Sequence, residues 1–313
     1  MSITTFPNTR DEQIKLILSE LSNLHPKSDT EKYAIEQNIL FFKSIQSVFS
    51  YGRWLYGTRK HIRSKDLLEV NELLPDLDEI FHAKMAEIER RAHPGIIRPI
   101  VEYVTEFATN LSQGKRLRIA SLGSGSMEVE RQIIEQLQKT KNVKPLTIVG
   151  FDVSPNTRAF AAKNLSVLTN VRIVQEEIKL TEERLAVLER ETQEPILVVI
   201  SDNDIFALSS YFTPHAFDLV VTALFLHHLN EADRIRLVEQ MRTFASRTLN
   251  YDGYKNEIVI PILSMTGWNS PVFLNAAIFS TIRFSDRAET LRLHTDTKID
   301  FYGHGHYRAI FPA

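Results

Sequence analysis

The sequence contains no cysteine, which excludes a disulfide framework, a thiolate metal centre and a thiol nucleophile together. It also lacks an excess of either charge. With 37 Lys and Arg against 39 Asp and Glu, the formal net charge is −2, without the positive field that holds duplex nucleic acid, although a local basic patch can survive within a neutral total. No uncharged apolar run approaches the length needed to cross a bilayer. The opening MSITTFPNTRDEQ lacks the charged region followed by an apolar stretch that marks a secretory signal. A soluble cytoplasmic protein is the expectation. Repeats and low-complexity tracts are absent as well.

What is present is enough apolar residue, 43% of 313, for a large core in one or two domains. From Asp11 to Leu111 apolar residues recur at helical spacing, as in Ile14, Ile17, Leu18 and Leu21, or Val101, Val104, Phe107 and Ala108. Breaks fall at HPKSDT, where Ser28, Asp29 or Thr30 can cap a helix, at Pro75, and at AHPG before Ile96. At LSQGKR, residues 111–116, the pattern changes to short apolar runs: RIASLG, LTIVGFD, VRIVQ, ILVVIS, FDLVVTALF and EIVIPIL, with helical stretches between several of them and RAIF as a closing strand. Apolar strands alternating with helices predict an α/β fold, a doubly wound and mostly parallel sheet covered on both faces. The expected organisation is a helical region over residues 1–113 that caps the substrate, followed by a cofactor-binding catalytic domain over 114–313.

The segment LRIASLGSGSMEVE, Leu117 to Glu130, reads as a buried strand, a glycine turn and a helix N-terminus. That combination gives a nucleotide-like ligand close backbone approach and a row of unpaired N–H donors. The next strand, LTIVGFDVSPNTR, ends in Asp152, placed to accept hydrogen bonds from ribose hydroxyls. A dinucleotide site prefers G-x-G-x-x-G, whose third position here is Glu128, ill suited to a pyrophosphate and to close helix packing.

These landmarks resemble the class I S-adenosylmethionine-dependent methyltransferases, a Rossmann-like superfamily, over roughly Leu117 to Ile262. The resemblance implies S-adenosyl-L-methionine as cofactor. It puts Ser121, Gly123, Ser124 and Gly125 in the first loop, Asp152 and Val153 at the ribose, and Asn203, Asp204 and Ile205 around the adenine, with Asp202 as an alternative to Asp204. FDLVVTALFLHHL resembles the family's fourth strand, whose C-terminal end, Thr222 to His228, faces the methyl group. Two positions depart from the pattern. The acid that commonly precedes the first glycine is Ser121, with Glu128 or Glu130 as substitutes, and the third glycine is Met127. No Asn-Pro-Pro-Tyr-type string follows the FDLVV strand, so the expected acceptor is a small molecule, methylated at oxygen, nitrogen or carbon. The alternatives are aminocarboxypropyl or aminopropyl transfer from the same cofactor family, or a cofactor-binding regulatory protein without catalysis; a homo-oligomer is compatible with all three.

For catalysis, His227 and His228 are the candidates, because a neutral imidazole near its ordinary pKa of ~6.5 can take a proton from a hydroxyl or amine. The alternating HGH at His304 and His306 has no nearby acid cluster, so no metal site is expected. In SVFSYGRWLYGTRKHIRSK, Tyr51, Trp54 and Tyr56 stand among Arg53, Arg59, Lys60, Arg63 and Lys65. With Trp268 they are candidates for binding the acceptor by stacking, against a plainer reading in which the rings pack and the charges are solvated.

Overall fold

The computed structural model describes residues 6–63, 66–77, 80–81, 94–110, 115–140, 145–256, 260, 264–265, 267–303 and 305–312. Helices α1 (Arg10–Asn23), α2 (Asp29–Ser44), α3 (Val48–Tyr56), α4 (Val70–Leu73) and α5 (Pro94–Asn110) come first. Strand β1 (Leu117–Leu122), helix α6 (Glu128–Gln138), β2 (Leu146–Phe151), α7 (Pro155–Leu165), β3 (Val171–Gln175), α8 (Glu182–Glu191) and β4 (Ile196–Ser201) follow. The chain continues through β5 (Phe217–Ala223), α9 (Glu231–Phe244), β6 (Ala245–Gly253), α10 (Pro271–Arg283), α11 (Arg287–Leu293), β7 (Lys298–Phe301) and β8 (His306–Phe311). By packing, it divides into two compact units: residues 1–85 with 255–284, and 86–254 with 285–313.

In the first unit, side-chain caps set the helix starts: Thr9 accepts from the Glu12 N–H, and Ser28 from that of Glu31. Helix α1 buries Ile14, Ile17 and Leu21, one turn apart on one face. The late helix α10 belongs here because polar bonds and rings tie it to the early helices. Asn275 accepts from the Val70 N–H at 2.9 Å and donates to Asn38 at 3.0 Å. Arg283 pairs with Glu72 at 2.7 Å, and Phe279 stacks on Trp54.

The second unit holds the expected sheet, in the order β3-β4-β2-β1-β5-β6-β8-β7. Strands β1 to β6 pair in parallel, while β8 runs antiparallel to both β6 and β7. Alternate residues face opposite ways. Ile119, Ile148 and Val198 meet α5, α6 and α7 on one face, while Ala120, Val149 and Val199 meet α8 and α9 on the other. The order reverses at β1, which has β2 on one side and β5 on the other, so a crevice opens at their carboxyl ends.

Strand β6, ASRTLNYDG, and the short β7 were not among the expected strands. In β6 the buried positions include Thr248, Asn250 and Asp252, so it carries no apolar run. The expected strand at EIVIPIL lies outside the described residues except for Ile260, as do residues 111–114 of the LSQGKR segment.

Candidate active site

After β1 the chain turns through Gly123, Gly125 and Met127, at φ of 63°, 52° and 54°. Glycine suits the first two positions, since a side chain in the left-handed region costs about 1–2 kcal/mol. Met127 takes the strained conformation because its side chain is useful: it is fully buried, and it lies where a Cβ on Gly150 would be 2.8 Å from its sulfur. The place of a third glycine is thus filled by a core plug, and a glycine on β2 makes room for it. Beside Gly123 the room is also taken. A Cβ there would stand 2.1 Å from the Phe225 ring at the end of β5.

Asp152 ties β2 to this turn. Its carboxylate accepts the Gly125 N–H at 3.1 Å and the Ser154 N–H at 2.9 Å. Next to it Val153 is 68% exposed, a large apolar side chain left uncovered at the crevice edge. The Ser124 hydroxyl is buried with no hydrogen-bond partner among the described residues. Ser121 donates to Glu130 at 2.5 Å, so a buried carboxyl does lie at the strand end, supplied by α6 rather than by β1. Burial pushes the Glu130 carboxyl up, with Ser121 partly opposing the shift. Glu128 is engaged elsewhere, accepting from Gln132 and from Asn164.

At the end of β4, Asn203 is a structural clamp: its Oδ1 accepts from the Leu180 N–H and the Ser201 hydroxyl, and its Nδ2 donates to the Leu180 carbonyl. Asp204 is exposed and caps the turn that begins at Ile205, which is buried. Asp202 pairs with Lys179 at 3.1 Å. Thr222, within β5, is buried and donates to Asn250 on β6 at 2.5 Å.

The histidines follow β5 in a short 3₁₀ turn, Leu226–His228. The His227 Nδ1 lies 2.6 Å from the Asp252 carboxylate, both side chains being buried. Asp252 also accepts the backbone N–H groups of His227 and Gly253. Burial pushes the Asp252 carboxyl up, but His227 and the two N–H donors outweigh it and hold it below its ordinary value. The pair places the ring proton on Nδ1 and makes Nε2 the basic nitrogen. Arg234 fixes the backbone of the turn by donating to the carbonyls of Leu226, His227 and Leu229. The His228 ring lies 4.2 Å from that of His227 and 6.4 Å from that of Phe225. Phe225 therefore links the glycine turn to the histidines.

The aromatic candidates are in the first unit. Tyr51 and Trp54 are buried and stack on each other, the Tyr51 hydroxyl meets Ser264, and Trp268 lies under the Arg10 guanidinium. Tyr56 is exposed. His306 is buried with its ring parallel to Tyr251, while His304 lies outside the described residues. Asp252 is the site residue that the sequence did not single out; Glu130 was one of the two substitutes named for the missing acid, and Phe225 falls within the Thr222–His228 segment without being named.

No protein-family model matches the chain, and no curated protein does. Solved structures do. The plantazolicin methyltransferase BpumL, in complex with a triazolic desmethylPZN analog and SAH, is 14% identical, covers 77% of this chain and 92% of its own, and has a TM-score of 0.49. The CurJ carbon methyltransferase is 11% identical over 96% of this chain and 70% of its own, at a TM-score of 0.46. Magnesium protoporphyrin IX methyltransferase from Synechocystis PCC 6803, with bound SAH, is 11% identical over 70% of this chain and 81% of its own, at 0.40. At these identities and TM-scores the likenesses carry no argument, and both fold and chemistry rest on the chain's own strands and residues.

Proposed function

We propose that this chain transfers the methyl group of S-adenosylmethionine to a small-molecule oxygen, nitrogen or carbon acceptor. The observation that carries the reading is the Gly123–Gly125 turn closed onto the Asp152 carboxylate at the strand-order reversal, with the buried His227–Asp252 pair after the neighbouring strand. The residues fit the cofactor: a buried unpartnered hydroxyl at Ser124, an uncovered apolar side chain at Val153 beside an acid, and a buried carboxyl at Glu130.

When bound, S-adenosylmethionine supplies a methyl group already activated on a cationic sulfur, so no covalent enzyme intermediate is required. Asp152 would hold the ribose hydroxyls, Val153 and Ile205 would lie on either side of the base, and Asp204 would accept from its amino group. Ser121 and Glu130 meet the amino acid end. Asn203 and Thr222 act one step back, fixing the loops that carry these groups. Where the acceptor carries a proton, His227 Nε2 takes it, and Asp252 holds the ring in place and stabilises the resulting imidazolium. Phe225 and His228 wall the space between turn and base and exclude water from it. Tyr51, Trp54 and Trp268 pack on one another within the first unit and Tyr56 is exposed there, so this reading gives them no part in the chemistry.

Calorimetric titration with S-adenosylmethionine and S-adenosylhomocysteine tests the cofactor, with saturable binding expected for both. Product analysis after incubation with candidate acceptors then separates the chemistries. S-adenosylhomocysteine indicates methyl transfer, whereas a thioadenosine product replaces this reading with aminocarboxypropyl or aminopropyl transfer. Binding of neither compound removes the cofactor from the proposal.

A further inference from the structure

The reading of the sheet unit leaves a marked surface of the first unit unused. On α3, Tyr51, Trp54 and Leu55 are buried, while Val48 is 73% exposed, Phe49 75% and Tyr56 69%. Val48, Gly52 and Tyr56 follow one another at four-residue spacing with Phe49 beside them, so they share the outer face of the helix. A Cβ built on Gly52 would meet nothing within 4 Å, which confirms that this side is open. Single exposed apolar residues are ordinary on a soluble protein; three large ones on one face of a nine-residue helix form a patch.

Along the chain through the patch the charge has one sign. From Gln37 to Lys65 the sequence holds six Lys and Arg and no Asp or Glu. Of these, Lys43, Arg53 and Lys60 are exposed, and the Arg53 guanidinium sits 5.1 Å over the Phe49 ring. In a chain of net charge −2, this is a local concentration of cations next to uncovered apolar side chains.

We propose that α3 and the turn after it, Thr58–His61, dock on an anionic lipid surface. Val48, Phe49 and Tyr56 enter the boundary between headgroups and acyl chains, while Lys43, Arg53 and Lys60 meet the phosphates. Two other occupants fit less well. A second copy of the chain brings the same cations against themselves. Single-stranded nucleic acid gains nothing from aliphatic Val48, and the Phe49 face on which a base would stack is covered by Arg53.

Sedimentation of the full chain with vesicles tests the idea, comparing phosphatidylcholine alone with phosphatidylcholine mixed with phosphatidylserine. Binding is expected only to the mixed vesicles and weakens as salt is raised. Phe49→Ser lowers the partition about tenfold, and Lys43→Gln or Lys60→Gln about fivefold each. All three positions are exposed, so circular dichroism should show unchanged folding. Because the chain has no cysteine, Val48→Cys can be labelled uniquely, and an environment-sensitive fluorophore there shifts to the blue on the mixed vesicles. Failure of the wild type to sediment with them at low salt overturns the proposal, as does binding that Phe49→Ser leaves unchanged. Displacement from vesicles by a single-stranded oligonucleotide, or a dimer abolished by Phe49→Ser, overturns it in favour of those partners. Neither cofactor nor acceptor enters the assay, so its failure leaves the methyl-transfer reading standing, and the reverse also holds.

Discussion

Replacing Gly123 by alanine separates two demands that the turn makes on one residue. At φ of +63° an alanine pays the left-handed penalty of about 1–2 kcal/mol. Its Cβ also lands 2.1, 2.3 and 2.5 Å from three Phe225 ring atoms, where ordinary carbon contacts are about 3.5–4.0 Å. The ring must therefore swing by more than about 1 Å, an overpacking cost of about 1–3 kcal/mol. The sum, about 2–5 kcal/mol, is a large part of the 5–15 kcal/mol typical of a whole domain. Urea unfolding followed by circular dichroism should show a lowered midpoint with little change in slope. The double variant Gly123→Ala with Phe225→Ala isolates the steric half, since removing the ring relieves the overlap while the backbone penalty remains. The cycle should return a favourable coupling of about 1–3 kcal/mol. A single Gly123→Ala variant within about 0.5 kcal/mol of wild type would refute the positive-φ argument. Strict additivity would refute the contact between the β1 turn and Phe225.

The remaining expectations concern the groups around that turn. Asp152→Ala should weaken S-adenosylmethionine binding by about 1–3 kcal/mol in calorimetry; unchanged affinity in a folded variant removes Asp152 from the ribose site. Asp252→Ala strips the acceptor from His227 Nδ1 and from two backbone N–H groups, so kcat should fall about 10²–10⁴-fold while cofactor affinity is kept; full turnover would end the role of Asp252 as a positioning residue. Burial holds Glu130 above its ordinary value, so its contribution to stability is full at low pH and is lost as pH rises through the folded-state value. Glu130→Gln should accordingly raise the melting temperature near neutral pH and flatten its dependence on pH, and an unchanged profile would count against the buried pair with Ser121. His294 is pushed down to about 4 from 6.5 by burial, with Arg242 adding to the shift. Its stabilising effect is therefore present above pH 6.5 and is lost as pH falls toward 4, by about 3 kcal/mol in all. His294→Gln, which can still accept from Tyr307, should remove most of that acid sensitivity in urea titrations.

The legible part of the fold is the part where one kind of force acts alone. Strands β1, β2, β4 and β5 are covered on both faces by helices, so burial selects unbroken runs such as ILVVIS and FDLVV, which can be read directly. Strand β6 is just as buried over its second half, yet its buried positions include Asn250 and Asp252, which serve Thr222 and His227 on the neighbouring elements. A strand that carries polar partners for a site loses the pattern by which strands are recognised. The same holds for membership of the two units. Helix α10 is tied to the early helices through Asn275 and Arg283, bonds that span more than two hundred residues and leave no local trace.

The site shows the same division between what a residue type announces and what a geometry assigns. Gly123 and Gly125 were legible because a tight turn at positive φ demands one residue type, and Asp152 because an acid closes the end of β2, where it accepts the Gly125 N–H. Asn203 was drawn to the adenine by its position, whereas all its hydrogen-bonding atoms that appear in the clamp point at Leu180 and Ser201. The serine at 121 shows how geometry chooses between two candidates that the sequence leaves open. The sequence lacks a carboxylate at the end of β1 and offers Glu128 or Glu130 in its place; Glu130, in the first turn of the following helix, returns its carboxyl to that strand end at 2.5 Å from the serine hydroxyl, while Glu128 is engaged by Gln132 and Asn164. The function of an acid is set by where its oxygens lie, and a helix that packs over a strand can deliver them from nine residues away. Moving the acid to α6 has a physical consequence that a strand-end acid would not share. It is buried beneath the turn, so its protonation state and its hold on a cationic ammonium group are coupled, and a bound cofactor should draw the Glu130 pKa down. Binding followed in buffers of different ionisation enthalpy should therefore register proton release, and Glu130→Gln should abolish it.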